Sequence, residues 1–144
     1  WRYNNQLRPV AGAGLEGALE RLIAGWRSQH PAIVLRADID LGDEPVSDDA
    51  AQAVIRIAQE GLTNVVRHAN ASSVWVRLRF MPQGRIGLLV VDNGRGFEKH
   101  QVLDGQPSER NVGLYGMIER TELAGGRIHI RTTPGRGVAI RAVL

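Results

Sequence analysis

The 144-residue sequence predicts a two-layer α/β sandwich, in which helices cover one face of a mixed β-sheet. Two observations lead to this prediction. Apolar residues at helical spacing indicate helices, and apolar residues that alternate with polar ones indicate strands. These patterns follow one another in the order helix, strand, helix, two strands, loop, helix, two strands. That order also departs from the even strand–helix repeat of a doubly wound sheet. A chain of this length is sufficient to bury a core as a single domain.

The first two helices and the first strand occupy the N-terminal half. Apolar residues recur at helical spacing over residues 14–30, and Pro31 ends that pattern. Residues 33–40 alternate between apolar and polar, which predicts a strand. Ser47 is a suitable N-cap, and the two aspartates after it favour the positive end of a helix dipole. The second helix is therefore expected to run to about Ala69.

The C-terminal half predicts four strands, a long loop and one helix. Residues 72–80 and 85–92 alternate as strands and are joined by a Met-Pro-Gln-Gly turn. Residues 93–112 are polar and rich in turn formers, and a loop this long in a compact domain is usually functional, such as a lid. A third helix follows and ends at the glycine pair 125–126. Two final strands surround a Pro-Gly-Arg-Gly turn.

Composition narrows the class of protein. The sequence has no cysteine, which excludes disulfides and thiolate metal sites. No apolar run approaches the ~20 residues of a membrane span, and we expect a cytoplasmic domain whose parent protein could be anchored in the inner membrane. The net charge is +3, but the arginines are scattered along the sequence without interleaved aromatic residues. Direct binding of nucleic acid is therefore not expected.

The second predicted helix has two stripes of residues. The apolar stripe consists of Val54, Ala58, Leu62, Val65 and Ala69. The polar stripe consists of Glu60, Asn64 and His68, with Arg67 beside it. A solvated helix face is the simpler interpretation of the polar stripe. The alternative is a ligand site, because an amide oxygen and a carboxylate beside two potential cations suit a Mg²⁺-bound polyphosphate.

The strand at residues 85–92 ends in Asp92, and Gly94 and Gly96 follow it. A carboxylate at a strand end can accept a hydrogen bond from a ligand amino group, and glycines let the backbone approach that ligand closely. The alternative interpretation is a plain turn, since Asp-Asn-Gly and Gly-Arg-Gly are strong turn signals.

Gly113 and Gly116 are predicted to open the third helix directly after the polar loop. Free N–H groups at the start of a helix attract phosphate, and glycine removes steric obstruction there. A Gly-x-x-Gly pair is a weak signal by itself. It is not the phosphate loop of P-loop enzymes, because the Gly-Lys-Ser/Thr of that loop is missing.

The three motifs occur in order along the chain, and together they resemble the ATP-binding domain of the GHKL superfamily. This superfamily includes sensor histidine kinases, gyrases, heat-shock chaperones and mismatch-repair proteins. The chain is most similar to the catalytic domain of bacterial two-component sensor kinases, in the subgroup of the nitrate and hexose-phosphate sensors. Four stretches carry this narrower resemblance: QEGLTNVVRHANAS, DNGRGF, NVGLYGMIERTELAGGRIHI and TTPGRGV.

The resemblance extends from about Leu7 to the C-terminus and implies a Bergerat-type ATPase fold. It implies that residues 1–13 are the end of a linker from a missing dimerisation and phosphoacceptor domain. Residues 14–144 would then be the ATP-binding catalytic domain.

The resemblance also implies a role for each motif residue. Asn64 would ligate Mg²⁺, and Glu60 would orient or activate the attacking nucleophile. Arg67 and His68 would lie near the phosphates, and Asp92 would receive the adenine amino group. The other residues implied to contact ATP are Gly94 and Gly96 in the adenine pocket and Gly113, Leu114 and Gly116 beside the triphosphate.

The implied activity is transfer of the γ-phosphoryl group of Mg-ATP to a histidine on the dimerisation domain of a homodimeric parent. A response regulator, of the LuxR-like DNA-binding type, would receive the group next. Two alternatives share the fold: a serine kinase of the anti-sigma type and a non-catalytic, nucleotide-gated interaction module. The segment QLRPV resembles the exit from dimerisation helices and favours the histidine kinase. The intact Glu60, Asn64 and Asp92 argue against the non-catalytic module.

Two departures from the family pattern affect the expected function. Val138 stands where the family often has a threonine near the nucleotide, which predicts a lower affinity for ATP. The acidic–basic helical segment around a phosphoacceptor histidine is absent, and each of the four histidines has a different context: His30, His68, His100 and His129. The chain is therefore expected to bind ATP but hardly to phosphorylate itself.

Overall fold

The structure, a computed structural model, describes residues 10–97 and 109–144. The helices among these residues are Gly12–Gln29 (α1), Asp48–Asn64 (α2) and Glu109–Leu123 (α3). The strands are Val10–Ala11 (β1), Val34–Asp40 (β2), Pro45–Val46 (β3), Ser73–Met81 (β4), Arg85–Asp92 (β5), Arg127–Thr132 (β6) and Val138–Val143 (β7). A π-helical turn, Val65–Ala69, extends α2, and a 3₁₀ turn, Pro82–Gly84, joins β4 to β5. None of the helices described is long and apolar enough to cross a membrane.

The main sheet has five strands in the order β2–β4–β5–β7–β6. β2 is parallel to β4, and every other neighbouring pair in this sheet is antiparallel. The helices pack on one face, so the predicted two-layer sandwich on a mixed sheet is confirmed. β1 and β3 form a separate antiparallel ladder, which the sequence does not predict because two residues are too few to show a period.

The apolar stripe predicted on α2 is confirmed as the centre of the core. Its described members are each at most 1% exposed: Val54, Ala58, Leu62 and Val65. The side chain of Ala69 lies outside the described residues. Trp26 Nε1 of α1 donates a 3.3 Å hydrogen bond to the Leu62 carbonyl, and Ser47 caps the helix as predicted. α2 is therefore anchored at its start and along its apolar face.

α2 and β5 run in the same direction across the interface between the two layers. Near their starts, Ala50 of α2 and Ile86 of β5 line one cavity of about 290 Å³. Near their ends, Gly61 lies so close to β5 that a Cβ at this position would be 3.3 Å from Val90 Cγ1. The C-terminal ends of α2 and β5 therefore lie at the same end of the domain.

α3 runs in the opposite direction to α2. Ala124, just after the end of α3, lines the same cavity as the start of α2. Gly113, near the start of α3, lies against the Glu60 side chain near the end of α2. The start of α3 thus joins the ends of α2 and β5, and we call this region, with the hairpin turn at 133–137 that packs on it, the motif end of the domain.

α3 begins at Glu109, four residues before the start predicted at Gly113. A serine followed by glutamate at 108–109 is a helix-start signal that the polar composition of this stretch obscures. Gly113 is consequently the fifth residue of α3, and the free N–H groups predicted there belong to earlier residues. Residues 98–108 of the predicted lid lie outside the described residues, so the lid stays a prediction.

The sheet face away from the helices is strongly cationic, and we call it the arginine face. It has seven arginines and two aspartates, a net charge of +5, against +3 for the whole chain. Its charged residues are Arg36, Arg77, Arg79, Arg85, Arg127, Arg131 and Arg141, with Asp38 and Asp40. Trp75, 42% exposed, lies on the same face. Arginines that are scattered along the sequence therefore share one surface in the fold, because alternate residues of neighbouring strands lie on the same face.

Candidate functional site

Asp92 is the last residue of β5 and is only 8% exposed. Its Oδ1 accepts a 2.8 Å hydrogen bond from the Gly94 N–H, and the Val138 N–H on β7 also donates to this carboxylate. Burial raises the pKa of the Asp92 carboxyl, and the two hydrogen bonds offset part of that rise. A buried carboxyl group with a perturbed pKa at a strand end is a candidate for ligand recognition.

The raised pKa of Asp92 has a consequence for folding. The folded state holds this proton more tightly than the unfolded state does. The stabilisation is complete below the ordinary pKa of an aspartate and is lost as the pH rises through the raised value. The ionised form of this carboxyl therefore costs folding free energy, which a ligand donor could offset.

The loop after β5 packs directly on the β6–β7 hairpin turn. Gly96 has a φ of +62°, and a Cβ at this position would collide with the Thr133 carbonyl oxygen. Gly137 has a φ of +75°, and a Cβ there would collide with the Asp92 carbonyl oxygen. Glycine is therefore required at both positions, because each lies against a backbone carbonyl group and has a positive φ.

Thr132 is a residue of this region that the sequence does not identify. Its Oγ1 accepts a 3.1 Å hydrogen bond from the Phe97 N–H and donates one of 2.8 Å to the Gly137 carbonyl. It therefore ties the loop after Asp92 to the hairpin turn. The alternating strand pattern gives no signal for this role, because the contact joins residues that are 35 positions apart.

The polar stripe of α2 lies at the same end of the domain. Glu60 and Asn64 are half-buried, and Arg67 is exposed. The side chains of Glu60 and Asn64 have no hydrogen bond or ion pair within residues 10–97 and 109–144. A π-helical turn begins directly after Asn64, and such turns are frequent at functional sites. The side chain of His68 lies outside the described residues.

The glycine pair of α3 is positioned beside this stripe. A Cβ on Gly113 would collide with Glu60 Oε1, whereas a Cβ on Gly116 would have no neighbour within 4 Å. Leu114 is 1% exposed, so its side chain belongs to the core and only its backbone could contact a ligand. The two glycines therefore differ: Gly113 makes room for Glu60, and Gly116 faces open space.

A divalent cation would find few protein ligands at the motif end. In the described part of the chain, no three residues of the types His, Cys, Asp and Glu are grouped to hold a metal ion. The Asn64 amide oxygen is a hard ligand of the kind that Mg²⁺ accepts, and Mg²⁺ commonly binds one or two protein groups together with substrate phosphates. The donor set therefore fits a cation that arrives with a polyphosphate.

A cavity of about 690 Å³ lies between the three helices, but it is not at the motif end. Asp48 at the start of α2 and Leu123 at the end of α3 line it, so it lies at the opposite end of the domain. It contains none of the glycine motifs. We therefore place the candidate site by the chemistry of its residues and not by cavity size.

Residues 49–144 match the family described as histidine kinase-, DNA gyrase B-, and HSP90-like ATPase. The chain belongs to this ATPase family. This membership confirms the superfamily predicted from the three motifs. The matched region contains every predicted site residue.

Curated relatives are sensor kinases that are longer than this chain. An uncharacterised sensor-like histidine kinase of Chloroflexus aurantiacus is 34% identical over 94% of the chain and 23% of its own length. Sensor histidine kinase LiaS of Bacillus subtilis is 35% identical over 93% of the chain and 35% of its own length. UhpB, a signal transduction histidine-protein kinase/phosphatase of Salmonella typhimurium, is 30% identical over 96% of the chain and 27% of its own length. The chain thus spans about a quarter to a third of these relatives.

Solved structures of histidine kinases share the fold. The mycobacterial sensor histidine kinase MprB has a TM-score of 0.69 and 21% identity, with 96% of each chain covered. The histidine kinase domain of the Erythrobacter litoralis blue-light activated kinase EL346 has a TM-score of 0.68 and 19% identity, with 90% of this chain and 60% of that chain covered. These likenesses confirm the ATPase-domain fold expected from the sequence.

The contact between Gly113 and Glu60 predicts different effects for two matched substitutions. Gly113→Ala should displace the Glu60 carboxylate, because the added methyl group occupies its position. Unfolding free energy should change by no more than about 1 kcal/mol, since the side chain is flexible and alanine favours a helix. Two-dimensional NMR of the Glu60 side chain and urea unfolding test this.

Gly116→Ala is the control, because its methyl group meets open space. It should leave the Glu60 resonances unchanged. Equal resonance shifts in the two variants, or none in Gly113→Ala, would show that Glu60 does not lie against α3.

Proposed function

We propose that this domain binds Mg-ATP at the motif end and transfers the γ-phosphoryl group to a histidine on a separate domain of a longer sensor kinase. The observation that carries the proposal is Asp92: a buried carboxyl group with a raised pKa at the end of β5, to which Gly94 donates its N–H without adding a side chain. Membership of the ATPase family supports ATP as the ligand. No observation favours the alternatives with the same fold, a serine kinase or a non-catalytic module.

Adenine recognition would rest on Asp92. Its carboxylate accepts two backbone hydrogen bonds and has further lone pairs for the exocyclic amino group of adenine. Gly94 and Gly96 would form the wall of the pocket without side chains. Val138 contributes its N–H to Asp92 but no hydroxyl group to the ligand, which supports the expectation of a lower affinity for ATP.

The triphosphate would extend from Asp92 towards the end of α2. Asn64 would hold Mg²⁺ through its amide oxygen, and the bound ion would neutralise phosphate charge. Arg67 and His68 would supply positive charge beside it. Because Gly113 lies inside α3, Gly113, Leu114 and Gly116 would serve by giving the phosphates room and backbone contacts.

Glu60 is the proposed catalytic residue. Its carboxylate lies one helical turn before Asn64, is half-buried, and has no partner among the described residues. It would accept the proton of the attacking imidazole while the imidazole nitrogen bonds to the γ-phosphorus and the bond to the β–γ bridging oxygen breaks, which releases ADP. This transfer needs mainly positioning and charge neutralisation.

The partners and location follow from the same proposal. The phosphoacceptor histidine would belong to a dimerisation domain that precedes residues 14–144 in a homodimeric parent, with residues 1–13 as the end of the linker. The last four of these residues, 10–13, form β1 and the start of α1. A response regulator of the LuxR-like type would receive the phosphoryl group. The domain would act in the cytoplasm, whether or not the parent is anchored in the inner membrane.

Two substitutions test the nucleotide site. Asp92→Asn should weaken ATP binding about ten- to hundredfold with or without Mg²⁺, because an amide cannot replace both acceptor oxygens. Asn64→Ala should weaken binding only when Mg²⁺ is present. Calorimetric titration of ATP, with Mg²⁺ or with a chelator, measures both effects, and unchanged binding in both variants would remove the site from consideration.

The pH dependence of ATP binding provides an independent check of Asp92. Affinity of the unsubstituted protein should fall as the pH drops through the raised pKa of Asp92, because the protonated carboxyl loses an acceptor. Asp49→Asn, an exposed position at the opposite end, should leave this profile unchanged. Asp92→Asn should abolish the pH dependence without lowering stability at neutral pH, because it removes a buried charge.

The division between catalytic and acceptor domains predicts the products of labelling. With γ-labelled ATP, this chain alone should form no stable phosphohistidine, while the parent kinase should form it and lose it on Glu60→Gln. Retention of ATP binding by Glu60→Gln is the control that separates transfer from binding. Stable phosphohistidine on this chain alone would contradict the proposal.

A further inference from the structure

Asn93 lies between Asp92 and Gly94 and has no assigned role in the site. Both the oxygen and the nitrogen of its side-chain amide form hydrogen bonds with the start of β4. Oδ1 accepts hydrogen bonds from the Ser72 and Ser73 N–H groups, each at 3.0 Å, and Nδ2 donates to Ser72 Oγ at 2.9 Å. The Asn93 N–H also donates to the Ser73 carbonyl at 3.3 Å.

The turn that follows β5 does not by itself require this arrangement. Asparagine, aspartate, serine and glycine all satisfy turns, and each does so through local contacts. The contacts of the Asn93 side chain are instead 20 and 21 residues away in sequence. They therefore join two strands and do not merely close a turn.

The position of these contacts explains their importance for Asp92. Asp92 is the last residue of β5 that pairs with both neighbouring strands. It lies opposite Val74 on β4 and opposite Val138 on β7. Strand ends open more readily than strand centres, and opening here would move the Asp92 carboxylate. Thr132 holds the β7 side through the hairpin turn. Asn93 holds the β4 side by continuing the ladder one step with its side chain.

We propose that Asn93 is a positioning residue, which fixes the end of β5 against β4 and thereby sets the direction of the Asp92 carboxylate. The proposal rests on the assignment of Asp92 to nucleotide binding. It differs from that assignment because it concerns how rigidly the end of β5 is held, and the domain has this property without bound ATP.

Asn93→Ala tests the proposal, with Ser72→Ala as the matched control. Asn93→Ala should speed hydrogen exchange at the Ser73, Gly94 and Val138 amides without nucleotide and weaken ATP binding about tenfold. The pH at which ATP binding falls should move as well, because the Asp92 environment changes. Ser72→Ala removes only the Nδ2 contact and should change affinity by less than about threefold.

Asn93→Asp should restore most of the amide protection, since a carboxylate oxygen accepts the same two N–H groups. Unchanged exchange in Asn93→Ala would overturn the proposal even if Asp92→Asn abolishes ATP binding. Faster exchange in Asn93→Ala, with ATP binding unaffected by Asp92→Asn, would contradict only the nucleotide site.

The arginine face carries a second, independent inference. On its β2–β4 side the charges are paired: Arg79 Nη2 lies 2.5 and 2.6 Å from the two carboxylate oxygens of Asp38, and Arg77 Nε lies 3.8 Å from the same group. Asp40 lies 3.9 Å from Arg79 Nη1. This half of the face is therefore close to neutral.

On the β6–β7 side the surface is lined by basic residues without nearby carboxylates among the described residues. Arg131, Arg141 and His129 line a groove of about 610 Å³ whose floor includes Leu89 and Ala139. Within the part of the chain that the structure describes, none of these three basic residues has an ion pair. An apolar floor with a rim of arginines matches the composition of protein interfaces.

We infer that this groove binds an acidic segment of a protein partner. Carboxylates would pair with Arg131 and Arg141 as Asp38 already pairs with Arg79 on the same face. The aliphatic parts of the acidic side chains would lie on the Leu89 and Ala139 floor.

Polyglutamate is the probe for this inference, with binding measured by fluorescence anisotropy at low salt. The double variant Arg131→Gln/Arg141→Gln should bind it about fivefold more weakly. The control double variant Arg56→Gln/Arg120→Gln, on the helical layer, should bind like the unsubstituted chain. Equal weakening in both, or tighter binding of DNA or anionic phospholipid vesicles that is lost in the first variant, would overturn the inference.

Discussion

The burial of the Asp92 carboxyl group is the constraint on which the rest of the motif end depends. A carboxylate that is 8% exposed at the end of a central strand needs donors that do not occupy all its lone pairs. Backbone N–H groups of Gly94 and Val138 meet that need, because each adds one hydrogen bond and leaves lone pairs of the carboxylate for a ligand. The unfavourable charge is tolerated because the strand around it is held on both sides.

Close backbone approach is the means by which the surrounding segments hold Asp92. Gly96 and Gly137 allow the loop after β5 and the hairpin turn to touch, and Thr132 and Asn93 add side-chain hydrogen bonds on either side of β5. The site is therefore built from main chain at short range. A side chain added at either glycine would separate the two segments, and Asp92 would lose its defined direction.

α2 links this polar site to the core. Its apolar stripe packs on the sheet. Its polar stripe, on another side of the same helix, leaves Glu60 and Asn64 half-buried beside the start of α3. The core thus fixes the positions of Glu60 and Asn64 along and around α2. Conversely, the Glu60–Gly113 contact means that a shift of α3 would move the proposed catalytic carboxylate, so the start of α3 and the chemistry are coupled.

The sequence by itself determined the order of the three helices and of the five strands of the main sheet, because helical and strand periods are local properties. It also determined the two stripes of α2 and the motif residues, since glycine positions are equally local. It did not reveal the roles of Asn93 and Thr132, because a single polar side chain produces no periodic pattern. It also did not reveal the early start of α3, because that start lies in a polar stretch. The arginine face was decided only by the tertiary structure. Arginines that are far apart in the chain share a surface only once the strand order and register place alternate residues of different strands side by side.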